Sequence, residues 1–83
     1  MQLEFLTPQK ILAKTSVKEI VAPGIFGEFG VLPGHAAYLT ELGEGLVQFL
    51  DGQGKSHRFQ VRGGYLEVVQ DCITLVVEEA QAL

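Results

Sequence analysis

Residues 56–77 read SHRFQVRGGYLEVVQDCITLVV, and apolar and polar side chains alternate along most of this stretch. A period of two is typical of β-strands that bury one face. The pair Gly63-Gly64 interrupts the alternation, and Gln70-Asp71 separates two strand-like runs. The sequence therefore predicts a strand, a bend at the glycines, a second strand, a tight turn and a third strand. We expect Gly63 and Gly64 to hold a backbone conformation that a Cβ atom would oppose.

The same period extends towards the N-terminus. In the segment 10–17, KILAKTSV, every second residue forms an apolar face, and the phase changes near Lys18-Glu19, which indicates a bulge or a break. Residues 46–50 form a strand candidate, and DGQG at 51–54 is a hairpin signal. No long window carries a helical stripe, so an all-β sandwich or barrel is predicted. Only residues 78–83 contain good helix formers, and we expect a helix to begin there.

Composition limits the protein to one small domain, residues 1–83. Hydrophobic residues make up 47% of the chain and charged residues 19%, which is typical of a globular protein. The net charge is −4, and the six basic residues are scattered, so nucleic-acid binding is not expected. No apolar run is long enough for a spanning helix, and we expect a soluble, intracellular protein without direct membrane insertion. One cysteine excludes an internal disulfide, so a partner protein is expected to support the fold.

Glycine, proline and histidine are concentrated in GIFGEFGVLPGHAAYLT, residues 24–40. As a phosphate loop, this stretch lacks the following lysine-serine or lysine-threonine pair and the helix that focuses positive potential on an anion. As a catalytic site, His35 would need a nucleophile or acid held close and oriented by a third group, and as a metal site it would need two or three further ligands, for which only His57 and the carboxylates are available. A histidine after Pro-Gly is more often a turn residue bonded to backbone. The third interpretation is a shaped loop that presents apolar residues and Glu28 to a partner.

A carrier domain of the biotinyl or lipoyl type is an alternative, as is another β-sandwich binding module. Carrier domains are all-β, of similar size, and modified on a lysine at a hairpin tip. Lys55 follows the turn in DGQGK, but it stands after the glycines rather than at a symmetric tip. The sequence therefore favours the shaped-loop interpretation over the carrier.

Three motifs with preserved spacing resemble the epsilon subunit of F-type ATP synthases, whose mitochondrial counterpart is called delta. They are FGVLPGHA at 29–36, VRGGYLEV at 61–68 and ITLVVEEA at 73–80. The resemblance covers about residues 2–79 and implies a ten-stranded β-sandwich, the N-terminal domain of that subunit. The family usually continues into a C-terminal helical hairpin that carries inhibition and, in some bacteria, ATP binding. We expect that hairpin to be absent here, with no cofactor, ATP or magnesium bound.

The resemblance also implies a role and two contact faces. The subunit would be a non-catalytic part of the central stalk, a rotor that links the gamma subunit to the c-ring at the cytoplasmic face of the bacterial plasma membrane. The c-ring-facing loop would contain Phe26, Gly27, Glu28 and Phe29. The gamma-facing side would contain Gly34, His35, Tyr38 and Thr40. The family usually has HAPLL where this chain has HAAYL, which changes the gamma contacts. An apolar cluster left open on the isolated domain is expected to cause weak self-association.

Overall fold

The computed structural model describes residues 1–83, which form seven β-strands joined by turns and short loops, with no helix. The strands are β1 (Gln2–Leu6), β2 (Ile11–Gly24), β3 (Gly27–Val31), β4 (Tyr38–Glu41), β5 (Glu44–Asp51), β6 (Ser56–Val69) and β7 (Cys72–Ala82). No helix of the length and hydropathy that a membrane crossing requires is present. The all-β prediction is confirmed.

Hydrogen bonding between the strands closes on itself. The order runs β1-β7-β6-β5-β2 and returns to β1, because β1 pairs with both β7 and β2. The β1–β7 pair is parallel and all other pairs are antiparallel. Strands β3 and β4 add to this ring as edges, β3 on β2 and β4 on β6. The result is a flattened ring of two packed layers, to which β3 and β4 are attached as edge strands.

The structure has seven continuous strands, so the predicted number of ten is wrong. The difference arises because three long strands run through both layers. Strand β2 pairs first with β1 and then with β5, while β6 pairs first with β5 and then with β4. Strand β7 lies beside both β1 and β6 in its first half but beside β6 alone in its second half. When each of these strands is counted once per layer, the seven strands give ten segments.

The long strands turn from one layer to the other at the irregularities that the sequence predicts. The register of β2 shifts between Val17 and Glu19, beside the predicted phase change. In β6, Gly63 and Gly64 have φ values of +68° and +120°, a region that disfavours residues with a Cβ. An added Cβ on Gly64 would lie 1.9 Å from the carbonyl oxygen of Val76. The prediction that these glycines hold a backbone conformation that a Cβ atom would oppose is therefore confirmed.

The core between the layers is entirely apolar. Fifteen buried residues form one cluster, and none of them is polar or charged. Phe5 lies at its centre, with its ring edge-on to Phe49 and Phe59 at centroid distances of 6.5 and 4.9 Å. The inward positions of Phe59 and Val61 agree with the alternation in the sequence.

The helix expected at residues 78–83 is wrong, because β7 continues as a strand to Ala82. Ala80 pairs with Val61 and Ala82 with Phe59, so the β6 ladder supplies hydrogen-bond partners along this segment. The intrinsic preference of these residues for a helix amounts to only tenths of a kcal/mol per residue. Backbone pairing with the existing strand β6 stabilises the extended conformation by more than that.

Candidate functional site

A tight hairpin between β2 and β3 presents apolar side chains to solvent. Gly24 pairs with Gly27, and Ile25 and Phe26 form the turn between them. Phe26 is 94% exposed and Ile25 is 47% exposed, and the next side chain along the strand, Glu28, is also exposed. We call residues 25–28 the hairpin tip.

Backbone contacts hold the hairpin tip in place. The amide of Ile25 donates to the carbonyl of Glu41 at 3.1 Å, and the amide of Gly43 donates to the carbonyl of Pro23 at 2.8 Å. Gly27 has a φ of +130°, which favours glycine, but an added Cβ there would meet no atom within 4 Å. The tip is therefore anchored at its base while its side chains stay in solvent.

The connection between β3 and β4, residues 32–37, is a second exposed element, which we call the PGH segment. Its turn is closed by the amide of His35 donating to the carbonyl of Leu32 at 3.1 Å. Gly34 has a φ of +84° at the position of this turn that requires a positive φ. The half-buried His35 ring has its Nδ1 atom 2.7 Å from the carbonyl of Ala36. This is the geometry of a turn residue bonded to backbone.

Aromatic contacts join the hairpin tip to the PGH segment. The half-buried Phe29 ring lies next to Glu28 in sequence and packs edge-on against Tyr38, with centroids 5.5 Å apart. Tyr38 in turn contacts the His35 ring at 5.7 Å. The two predicted groups of site residues thus form one continuous surface, with Tyr38 between them.

Strand β4 places the remaining predicted residue, Thr40, on its inner side. Thr40 is half-buried, and its hydroxyl donates to the carbonyl of Glu41 at 3.2 Å. Two large apolar side chains of β4 and β6 near Thr40 are exposed, Leu39 at 64% and Tyr65 at 45%. Sequence reasoning missed both side chains, although the alternation along β6 predicts that Tyr65 faces outwards because the next residue, Leu66, faces the core.

The chemistry available at this surface is contact rather than bond making. Its exposed groups are aromatic, aliphatic and carboxylate side chains, together with the backbone of two turns. The only polar contact of the His35 ring is a backbone carbonyl. The chain contains no group of three or more histidine, cysteine or acidic side chains that could hold a metal ion.

A second histidine stabilises the β5–β6 hairpin, away from this surface. His57 Nε2 lies 2.9 Å from Asp51 Oδ2, and its ring stacks on Phe49 with centroids 4.8 Å apart. The other oxygen of Asp51 accepts hydrogen bonds from the amides of Gln53 and Lys55, both at 2.9 Å. The His57 hydrogen bond, followed by the Lys55 amide, lowers the pKa of Asp51 below its ordinary value of 3.8. Lys55 thus belongs to a turn organised by Asp51.

We expect acid to destabilise this hairpin through Asp51. Because its pKa is lowered in the folded state, its contribution to stability is fully present above pH 3.8 and is lost as the pH falls through the folded pKa. The free energy of unfolding, measured by urea titration from pH 6 down to pH 2, should fall less steeply below pH 3.8 for Asp51→Asn than for the wild type. Identical slopes in that range would show that the carboxylate contributes nothing as an anion.

Comparison with known proteins places the chain in a family. A family model described as the β-sandwich domain of the ATP synthase delta/epsilon chain matches residues 1–82. The ATP synthase epsilon chain of Hyphomonas neptunium is 40% identical over 83 residues, which are 100% of this chain and 62% of that protein. The epsilon chain of Citrifermentans bemidjiense is 43% identical over 81 residues, 98% of this chain and 58% of that protein. The chain spans about three fifths of the length of these relatives.

Solved structures share the fold. A chain in the Euglena gracilis mitochondrial ATP synthase, in an OSCP/F1/c-ring assembly, superposes with a TM-score of 0.89 at 23% identity and covers 96% of this chain and 51% of that chain. A chain from the central stalk and c-ring of the Tetrahymena thermophila enzyme gives a TM-score of 0.82 at 21% identity, covering 98% and 65%. At these identities the likeness shows the fold alone.

Proposed function

The chain belongs to the ATP synthase delta/epsilon family, and on that premise we propose that it is a non-catalytic subunit of the rotor in a proton- or sodium-translocating F-type ATP synthase. It links the gamma subunit to the c-ring and so couples ion flow to ATP synthesis or hydrolysis, while other subunits carry the catalytic sites. In this role it is a peripheral part of a membrane-associated complex, at the cytoplasmic face of the bacterial plasma membrane. It requires no cofactor of its own.

The observation that carries this proposal is the hairpin tip. Phe26 is 94% exposed at the end of a hairpin whose base is fixed by backbone hydrogen bonds. An aromatic side chain held in water on a rigid support is a poor arrangement for an isolated protein but a good anchor for a partner. Glu28 adds a negative charge beside it. We therefore assign Phe26, Gly27 and Glu28 of the tip, together with the adjacent Phe29, to the c-ring.

The PGH segment and β4 are assigned to the gamma subunit. Gly34 and His35 form its turn, and Tyr38 and Thr40 continue into the free edge strand β4. Leu39 and Tyr65 extend the exposed surface on the outer side of β4 and β6. Two chains of the same fold come from assemblies described as containing a c-ring, which supports a position between these partners.

A coupling subunit must transmit force between two contact faces without yielding. In the closed ring, most strands are hydrogen-bonded to neighbours on both sides. The core that the ring encloses contains no polar or charged side chain. The rings of Phe29 and Tyr38, whose centroids are 5.5 Å apart, connect the two assigned faces. Load applied at the tip therefore reaches the PGH segment through packed side chains rather than through a flexible linker.

The test is a pair of variants that separate the two faces. We expect Glu28→Lys to weaken binding to the c-ring by about three- to tenfold at low salt, because it reverses an exposed charge at the contact, while binding to gamma stays unchanged. We expect His35→Ala to weaken binding to gamma and to leave the c-ring interaction unchanged. Biolayer interferometry against purified gamma and against detergent-solubilised c-ring measures both affinities.

Both variants should keep the wild-type melting temperature, since neither residue is in the core and exposed charges contribute little to stability. Wild-type protein that binds neither partner at micromolar concentration would contradict the proposed function. A variant that weakens both interactions equally would contradict the assignment of separate faces.

A further inference from the structure

A single hydrogen bond ties the PGH segment to the rest of the protein. The amide of Gly34 donates to Asp71 Oδ1 at 2.8 Å, across a sequence separation of 37 residues. The other hydrogen bonds of the segment stay within it, from His35 to the carbonyl of Leu32 and between the His35 ring and the carbonyl of Ala36. The carboxylate of Asp71 is therefore the one hydrogen-bonding group outside residues 32–37 that holds them.

The backbone of Asp71 is itself fixed in position. Asp71 and Gln70 form the two-residue turn between β6 and β7, with φ values of +62° and +48°. The residues on either side of this turn, Val69 and Cys72, are paired. The carbonyl of Asp71 also accepts a hydrogen bond from the amide of Gln2 at 2.9 Å. Aspartate tolerates the left-handed region, so its carboxylate projects from a rigid turn without strain.

The amide of Gly34 needs an acceptor outside its own turn. In a turn with proline at the second position and a positive φ at the third, the closing hydrogen bond uses the amide of the fourth residue, here His35. The amide of the third residue, here Gly34, is not used by the turn and points away from it. A carboxylate accepts such a hydrogen bond more strongly than a neutral group does.

We propose that Asp71 is a positioning residue that presets the gamma-facing PGH segment for docking. This inference rests on the proposed function, because it takes Gly34 and His35 as gamma contacts. Without the carboxylate, the segment keeps the ring contact between His35 and Tyr38 but has no hydrogen bond to the rest of the protein. Gly34 and His35 then sample more conformations, and the entropy of ordering them is lost at the moment of binding.

Two substitutions at Asp71 and one at its neighbour separate this role from the turn itself. Asp71→Gly removes the carboxylate but accepts the positive φ, and Asp71→Asn keeps both the positive φ and an acceptor oxygen. Gln70→Gly is the matched control, because Gln70 also has a positive φ and makes no hydrogen bond to Gly34. In the 83-residue chain, we expect hydrogen exchange of the Gly34 amide, followed by NMR, to be about tenfold faster in Asp71→Gly, only slightly faster in Asp71→Asn, and close to wild type in Gln70→Gly.

Affinity for purified gamma completes the test. We expect Asp71→Gly to bind gamma about three- to tenfold more weakly, with Asp71→Asn and Gln70→Gly within about twofold of wild type. Unchanged Gly34 exchange in Asp71→Gly would overturn the positioning role, as would faster exchange with unchanged affinity. Failure of the wild type to bind gamma would instead overturn the proposed function, and the exchange rates would still decide whether Asp71 holds the segment.

Discussion

Replacing Gly64 by alanine is expected to cost at least about 3 kcal/mol of folding free energy and to lower the melting temperature by at least about 12 °C. The new Cβ would lie 1.9 Å from the carbonyl oxygen of Val76 and 2.8 Å from the Cα of Val77, atoms of the neighbouring strand that cannot rotate away. The φ of +120° adds backbone strain to the collision. Strand β7 would have to separate from β6 where β6 turns between the layers. Thermal and urea unfolding followed by circular dichroism measure the loss.

Alanine substitutions at two other glycines distinguish the cost of backbone strain from the cost of a steric clash. Gly27 has a similar φ of +130°, but a Cβ added there would have no atom within 4 Å, so Gly27→Ala should show strain alone, about 1–2 kcal/mol. At Gly63 the Cβ would meet the end of the flexible Glu78 side chain at 3.0 Å, so Gly63→Ala should cost less than Gly64→Ala. Equal losses at Gly64 and Gly27 would show that the approach of β7 does not limit the residue at position 64.

Replacing Phe26 by serine should weaken binding to the c-ring by about 30-fold or more and leave the fold intact. Because Phe26 is 94% exposed, it buries almost no surface within the chain, so its removal leaves no cavity. In a complex, the same ring would bury most of its surface and supply an aromatic anchor, the class of residue that dominates binding energy at interfaces. The measurement is affinity for solubilised c-ring, with the melting temperature recorded in parallel.

Ile11 provides the matched control for Phe26. It is also a large apolar residue, 61% exposed, but it begins β2 and lies outside both assigned faces. We expect Ile11→Ser to leave c-ring binding within about twofold of wild type. If both substitutions reduce binding alike, general surface hydrophobicity and not the hairpin tip determines the interaction. If neither does, the assignment of the tip to the c-ring is wrong.

Sequence periodicity predicted the strands well wherever each strand has one buried face. Residues 56–77 alternate because Val61, Leu66, Val68, Ile73, Leu75 and Val77 all enter the core. Alternation cannot show whether a strand continues through a bend, so β2 and β6 were expected as shorter pieces. The pairing of β7 with the first half of β6 also has no local signal, so the sequence predicts a helix at residues 78–83 where the structure continues the strand to Ala82.

The candidate site was predictable in its glycines and much less so in its contacts. Positive φ at Gly27 and Gly34 follows from the turns that the sequence encodes, and the resemblance supplied Glu28 and His35. The Asp71 hydrogen bond joins residues that lie 37 positions apart, and no periodic pattern relates a turn to a distant turn. The contact between Phe29 and Tyr38 likewise arises from the packing of two edge strands, which spacing alone does not determine.

The parallel pairing of β1 with β7 has a consequence for the biogenesis of the protein. Leu3 lies beside Ile73 and Phe5 beside Leu75, so the first strand of the domain to be synthesised pairs with the last. Contacts between such distant parts of a chain form slowly, because a long loop must close before they contribute any stability. During translation, β1 and the aromatic core around Phe5 stay incomplete until β7 has left the ribosome. Folding of this domain therefore follows the synthesis of its last strand.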